Sequence, residues 1–85
     1  MGYEVYILQS EINGRYYIGH TSDIADRIQA HNRGKVRSTK AYRPWKIVYS
    51  ERYVSKREAY RREMEIKSYK HGEAFKKLIK VMERC

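Results

Sequence analysis

Five side chains in this sequence are of types that can act together on a phosphate diester: Tyr6, Tyr17, Arg27, His31 and Glu63. Glu63 is the most telling. On the helix that starts after Ser55, Ala59, Glu63 and Ile66 fall on one face, with Tyr60 close by. A carboxylate among apolar neighbours is costly unless it has a partner or a metal. Two readings are open: an ion pair with Arg27 or a lysine, the common fate of a buried carboxylate, or ligation of Mg²⁺ or Mn²⁺. A single carboxylate suits those ions, which keep several waters and take further ligands from substrate phosphate. Arg27 is either a solvated helix arginine or a fork that grips two phosphate oxygens at once. His31 is a packing residue, a phosphate donor or a proton shuttle. A phenol with its ordinary pKa near ~10 is a poor base at neutral pH unless nearby cations lower it. With nine tyrosines in 85 residues, most must be structural aromatics.

The elements that position these groups follow from pattern. Residues 3–9 read as a strand, Asn13-Gly14 as the strongest turn signal, and residues 15–19 as the returning strand. A two-residue loop would pair Ser10 with Tyr17 and put Tyr6, Leu8 and Tyr17 on one face; a five-residue loop would separate the two tyrosines. Ser22 or Asp23 caps a helix to about Asn32, with Ile24, Ile28 and His31 on one side and Arg27 beside them. Gly34 stops it. Residues 33–46 form an ordered basic loop with a helical turn. A third strand runs from Trp45 to Glu51, with Trp45, Ile47 and Tyr49 expected on one side. Ser55 caps a long helix to about Tyr69, and Glu58 completes a capping-box pattern. His71-Gly72 breaks it, and a last amphipathic helix spans about 73–82 with Phe75, Leu78, Ile79 and Met82 as its stripe. The order is strand, strand, helix, strand, helix, helix in a single α/β (α+β) domain over residues 1–85, with no repeat or low-complexity segment.

Composition limits the substrate. A chain this short buries a small core, so the substrate should lie across its surface. Nineteen Lys and Arg against ten Asp and Glu leave a formal charge of +9, which favours a polyanion. The expected track is Arg33, Lys35, Arg37, Lys40 and Arg43 on the loop with Lys56, Arg57 and Arg61 on the long helix. Such contacts position a nucleic-acid backbone without reading bases. Lys76, Lys77 and Lys80 read as a solvated face. The one cysteine, Cys85, permits no internal disulfide and no cysteine-based zinc site. No apolar run nears the ~20 residues that span a bilayer, there is no secretory pattern, and Tyr6 breaks a myristoylation motif at Gly2. The expected location is the cytoplasm or nucleoid.

The segments Glu4-Val5-Tyr6, Tyr17-Ile18-Gly19, Thr21-Ser22-Asp23-Ile24, Arg27-Ile28, His31-Asn32 and Glu63-Met64-Glu65-Ile66-Lys67 together resemble the GIY-YIG nuclease family, above all its small stand-alone members, and the nuclease domain of the UvrC-type excinuclease. The resemblance covers roughly residues 3–70. Glu4 and Val5 replace the glycine and isoleucine of the first motif, and Tyr6 is kept. The resemblance implies a three-stranded antiparallel sheet flanked by three helices. It also implies a metal-dependent endonuclease that hydrolyses DNA by in-line water attack, leaving a 5′-phosphate and a 3′-hydroxyl. Tyr6, assisted by Tyr17, would activate water; Arg27 and His31 would steady phosphate charge; Glu63 would hold one Mg²⁺ or Mn²⁺; Gly19 would allow close backbone approach or an unusual turn. His20 and Thr21 follow it within reach of phosphate. Relatives with precise targets usually carry a separate recognition domain or a protein partner; this chain has no room for such a domain, and no partner can be read from it. The expectation is therefore action on DNA structure, as a homodimer, or under a partner's direction in repair or recombination. The alternative is a non-catalytic nucleic-acid-binding module, or a component of a repair complex that is active only with its partner.

Overall fold

The computed structural model describes residues 2–69 and 72–83, and side chains through Lys80. The expected breaker His71, the stripe residue Met82 and the lone Cys85 lie outside that description. The strands are β1 (Tyr3–Ser10), β2 (Tyr16–Thr21) and β3 (Trp45–Tyr53); the helices are α1 (Ile24–Asn32), α2 (Lys56–Ser68) and α3 (Glu73–Glu83), with a single 3-10 turn at Lys40–Tyr42. The sheet is antiparallel with β1 in the middle, in the order β2-β1-β3. The expected three-stranded α+β fold is therefore the one observed.

The β1–β2 hairpin uses neither expected loop. Leu8 pairs with Tyr17 and Tyr6 with Gly19, leaving a four-residue connection at 11–14. Its own side chains stabilise it: Ser10 Oγ accepts from the Ile12 and Asn13 N–H groups, Asn13 Oδ1 accepts from Arg15 N–H at 3.0 Å, and Gly14 takes φ +75°. Two extra loop residues keep the parity of the two-residue loop, so Tyr6, Leu8 and Tyr17 share a face after all.

A second departure lies in β3. Leu8 pairs with Ile47 but Ile7 pairs with Tyr49, so Val48 is an extra residue in a bulge. Trp45, Ile47 and Tyr49 therefore do not share a side. Trp45 buries with Tyr6 and Leu8, Val48 and Tyr49 turn to the other face, and Ile47 is partly exposed.

The sheet thus has two packed faces. Tyr6, Leu8 and Trp45 are covered by Ile24 and Ile28 of α1 and by Tyr42. Val5, Ile7, Ile18 and Val48 are covered by Ala59 and Ile66 of α2 and Phe75 and Ile79 of α3. Helix ends are set as the capping residues suggest. Asp23 accepts from Asp26 N–H at 3.1 Å, and Ser55 accepts from Glu58 N–H at 3.2 Å. α1 closes on Gly34 at φ +79°, with Gly34 N–H on the His31 carbonyl and Lys35 N–H on that of Ala30. Asn32, the last residue of α1, bonds both ways with the Trp45 backbone, its Oδ1 accepting at 2.6 Å and its Nδ2 donating at 3.1 Å. That pair ties the start of β3 to the end of α1 and closes the basic loop between them.

Candidate active site

Tyr6 stands on the central strand, facing α1, and reaches across its partner strand over Gly19. A Cβ at Gly19 would lie 2.7 Å from the Tyr6 hydroxyl oxygen, so only glycine lets the phenol pass. Close approach, not an unusual backbone turn, is what this glycine provides. The hydroxyl meets His31 Nε2 at 3.2 Å. His31 is fully buried, and its Nδ1 lies 2.8 Å from Thr39 Oγ1, whose own proton points to the Val36 carbonyl. That directs the bonding: Nδ1–H donates to Thr39, and Nε2 is left to accept from Tyr6 O–H. The Tyr17 ring packs edge-on to His31 at 4.8 Å between centroids and lies 6.3 Å from the Tyr6 ring.

Arg27 lies against the Tyr6 and Tyr17 hydroxyls, and that contact with Tyr6 raises the guanidinium's own pKa. The effect on Tyr6 runs against expectation. Burial pushes its phenol up, and the opposing pull of Arg27 does not overcome this; the neighbouring Tyr17 and the charge of Glu63 push it further in the same direction. His31 is held neutral, its pKa lowered to about 4, by burial first and the Arg27 charge second.

Glu63 approaches from the opposite face of the sheet. It sits on α2 between Ala59 and Ile66 and is only 7% exposed. Neither of its oxygens is free: His20 Nδ1 lies 2.5 Å from Oε1, and Lys67 Nζ lies 2.7 Å from Oε2. The partner is therefore a lysine one helical turn on, together with a histidine from β2; Arg27 is engaged by the tyrosines instead. His20 pairs with Val5, whose side chain is in the α2-facing core, which brings the ring round to Glu63. So the five residues come from both faces of the sheet and converge at its β2 edge, where the missing side chain of Gly19 leaves Tyr6 within electrostatic reach of Glu63.

The donor set fits a hard divalent ion. A nearly buried carboxylate is the kind of oxygen donor such an ion takes, and here His20 and Lys67 hold its two oxygens. Among the described residues no group of three or more His, Cys, Asp or Glu side chains is placed to hold a metal ion.

The eight expected track residues, Arg33, Lys35, Arg37, Lys40, Arg43, Lys56, Arg57 and Arg61, are all exposed, and none joins an ion pair among the described residues. Arg37, Lys40, Ala41 and Arg43 line an open depression of ≈ 460 Å³. Thr21 is used locally, its hydroxyl accepting from Asp23 N–H at the start of α1.

Three residues at or behind the site were not singled out in the sequence for what they do: Thr39, Lys67 and His20. The i,i+4 spacing of Glu63 and Lys67 was a usable signal, and strand alternation from buried Ile18 would have sent His20 toward α2. Nothing local marks Thr39.

The sheet has β1 at its centre, with a tyrosine on each of β1 and β2, an arginine and a histidine on α1, and a carboxylate on α2. The GIY-YIG catalytic domain family matches residues 2–76, and the chain belongs to that family. It is 44% identical over 66 residues to a UPF0213 protein of Staphylococcus aureus strain Mu3, covering 76% of this chain and 79% of that one. The solution structure of the UPF0213 protein BH0048 from Bacillus halodurans is similar, with a TM-score of 0.60 and 33% identity over 95% of this chain and 85% of the other.

Proposed function

We propose that this protein is a divalent-metal-dependent endonuclease that hydrolyses DNA phosphodiester bonds, directed by DNA structure or by a partner in repair or recombination, in the cytoplasm at the nucleoid. The observation that carries the reading is the convergence of Tyr6, Tyr17, Arg27 and His31 with Glu63 across the β2 edge. When bound by Glu63, an Mg²⁺ or Mn²⁺ ion supplies Lewis-acid polarisation of the phosphate and stabilises the departing oxygen.

The chain's own groups do the rest. Arg27 grips phosphate oxygens and offsets the charge that builds in the transition state. A raised Tyr6 pKa argues against a resting phenolate. Tyr6 instead accepts the water proton as its own proton passes to His31 Nε2, along the hydrogen bond already in place. Part of what weakens His31 as a base is the Arg27 charge. A phosphate bound to Arg27 neutralises that charge, so the relay strengthens once substrate is present. Tyr17 packs against His31 and keeps its ring in line. The basic loop and the first turns of α2 hold the backbone of the nucleic acid.

The test uses supercoiled plasmid and flapped or branched duplexes with Mg²⁺, Mn²⁺ or EDTA. Wild type nicks only with metal; Glu63→Gln loses at least about 100-fold in rate and keeps DNA binding and fold. A Glu63→Gln variant that cuts as wild type does would remove Glu63 from the mechanism. One observation favours a second reading, a non-catalytic binding module: both Glu63 oxygens are already engaged by His20 and Lys67. It would show as salt-sensitive binding by both proteins and no cutting by either.

A further inference from the structure

We infer that His20 is a second protein ligand to the metal ion, so that this site favours nitrogen-accepting ions such as Mn²⁺, Co²⁺ or Ni²⁺ over Mg²⁺. The inference rests on the nuclease reading of Glu63 and adds to it the identity of the donor set and the metal class.

The geometry is direct. His20 Nδ1 and Glu63 Oε1 face each other at 2.5 Å, bridging β2 and α2 across 43 residues of sequence. Metal bonds of about 2.0–2.2 Å to nitrogen and to oxygen, set at a right angle, put such donor atoms about 3 Å apart. The two groups need open by only about half an ångström to admit an ion between them on that measure. His20 is partly exposed and packs edge-on to the exposed ring of Tyr60 at 6.0 Å, so the ring has one wet side and room to turn. Lys67 occupies the other Glu63 oxygen, but its side chain is 46% exposed and can swing into solvent when a dication replaces it.

Ligation needs the Nδ1 lone pair. The ring therefore binds as its Nε2–H tautomer, the Nδ1 proton leaving to solvent and Nε2 holding one. A carboxylate alone discriminates little among hard dications, whereas an added imidazole raises affinity along the order from Mn²⁺ upward and does little for Mg²⁺.

The experiment is calorimetric titration of the full chain with Mn²⁺, Co²⁺ and Mg²⁺, for wild type, His20→Gln and Glu63→Gln. It is joined by the ring-nitrogen NMR spectrum of wild-type His20 with Zn²⁺, which needs no variant to fold. The expected result is a loss of at least ~10–100-fold in Mn²⁺ and Co²⁺ affinity in His20→Gln, the range that even outer-shell partners of a metal reach. Mg²⁺ affinity should stay near the wild-type value, and the Nδ1 signal should move to that of a metal-bound nitrogen. Equal weakening for all three ions would mean that His20 only positions Glu63, and would overturn the inference. So would unchanged affinities, an unmoved Nδ1 signal, or no Mn²⁺ binding by wild type. The nicking assay separates these failures from failure of the nuclease reading: Glu63-dependent nicking with the same metal preference in His20→Gln leaves the nuclease standing and removes His20.

Discussion

Gly19 and His31 show how tightly single residues constrain the site. Adding one methyl at Gly19 places a carbon within 2.9 Å of the Tyr6 ring carbon that bears the hydroxyl, inside any ordinary contact. Gly19→Ala should therefore cost about 1–3 kcal/mol of stability by overpacking and displace the phenol. A thermal melt and the nicking rate would both fall, the rate further than the melt alone explains. His31 makes a pH prediction with a defined sign. Its folded pKa is about 4 against an ordinary 6.5, so between those values the unfolded chain takes up a proton that the native state refuses. Its contribution is complete above the upper value and is lost as pH falls toward the lower one. Urea unfolding of wild type and His31→Gln should show the stability gap between them narrowing by about 2 kcal/mol from pH 7 to pH 5. A gap that held constant would mean that the ring takes up its proton alike in the native and unfolded states.

At the scale of elements, the junction between α1 and β3 governs the basic loop. Asn32 supplies both halves of a backbone-like pair to Trp45, and Trp45 Nε1 donates to the Thr39 carbonyl at 2.9 Å. Asn32→Ala removes two hydrogen bonds of about 1 kcal/mol each. Hydrogen exchange should quicken at the Trp45 amide and along residues 33–44 before it changes in α2. On the far side, Glu51 accepts from Tyr49, Tyr53 and both arms of Arg62, clasping β3 to α2. Burial, with Glu51 beside them, lifts both tyrosines to about 12, which marks them as structural members of the tyrosine-rich set. These elements were legible in the sequence because caps, periodicity and Gly34 act locally: Asp23, Ser55 and the Phe75-Leu78-Ile79 stripe sit where pattern put them. The bulge at Val48 was not legible, since an extra residue that shifts pairing leaves the composition of a strand unchanged. The hairpin register turned on Ser10, whose side chain builds the longer loop that Asn13-Gly14 alone does not demand. The types of Tyr6, Tyr17, Arg27, His31 and Glu63 marked them as candidates, and the fold brings them near one another. What they could not convey was that His20 meets Glu63 and His31 meets Tyr6, because those contacts join residues 43 and 25 positions apart.

The whole molecule is a small cationic body with its candidate catalytic groups at one edge of the sheet and eight cations of the proposed track that form no ion pair among the described residues. No helix among the described residues is long and apolar enough to cross a membrane. Binding to DNA should be steeply salt-dependent, and replacing Arg37, Lys40 and Arg43 together should flatten the slope of log affinity against log salt by about 0.9 for each phosphate that is no longer neutralised. An unchanged slope would move the track away from the loop. The bridging of β2 to α2 by His20 and Glu63 has one more consequence. The first partner is made early in the chain and the second near its end, on opposite sides of most of the contacts that close the sheet. Contacts of such sequence separation form late, after the chain has met the entropy of closing the intervening loop. If the protein is the nuclease proposed above, a nascent or half-unravelled chain carries its positive charge from the start but not its cutting centre: it would hold a nucleic acid before it could harm one.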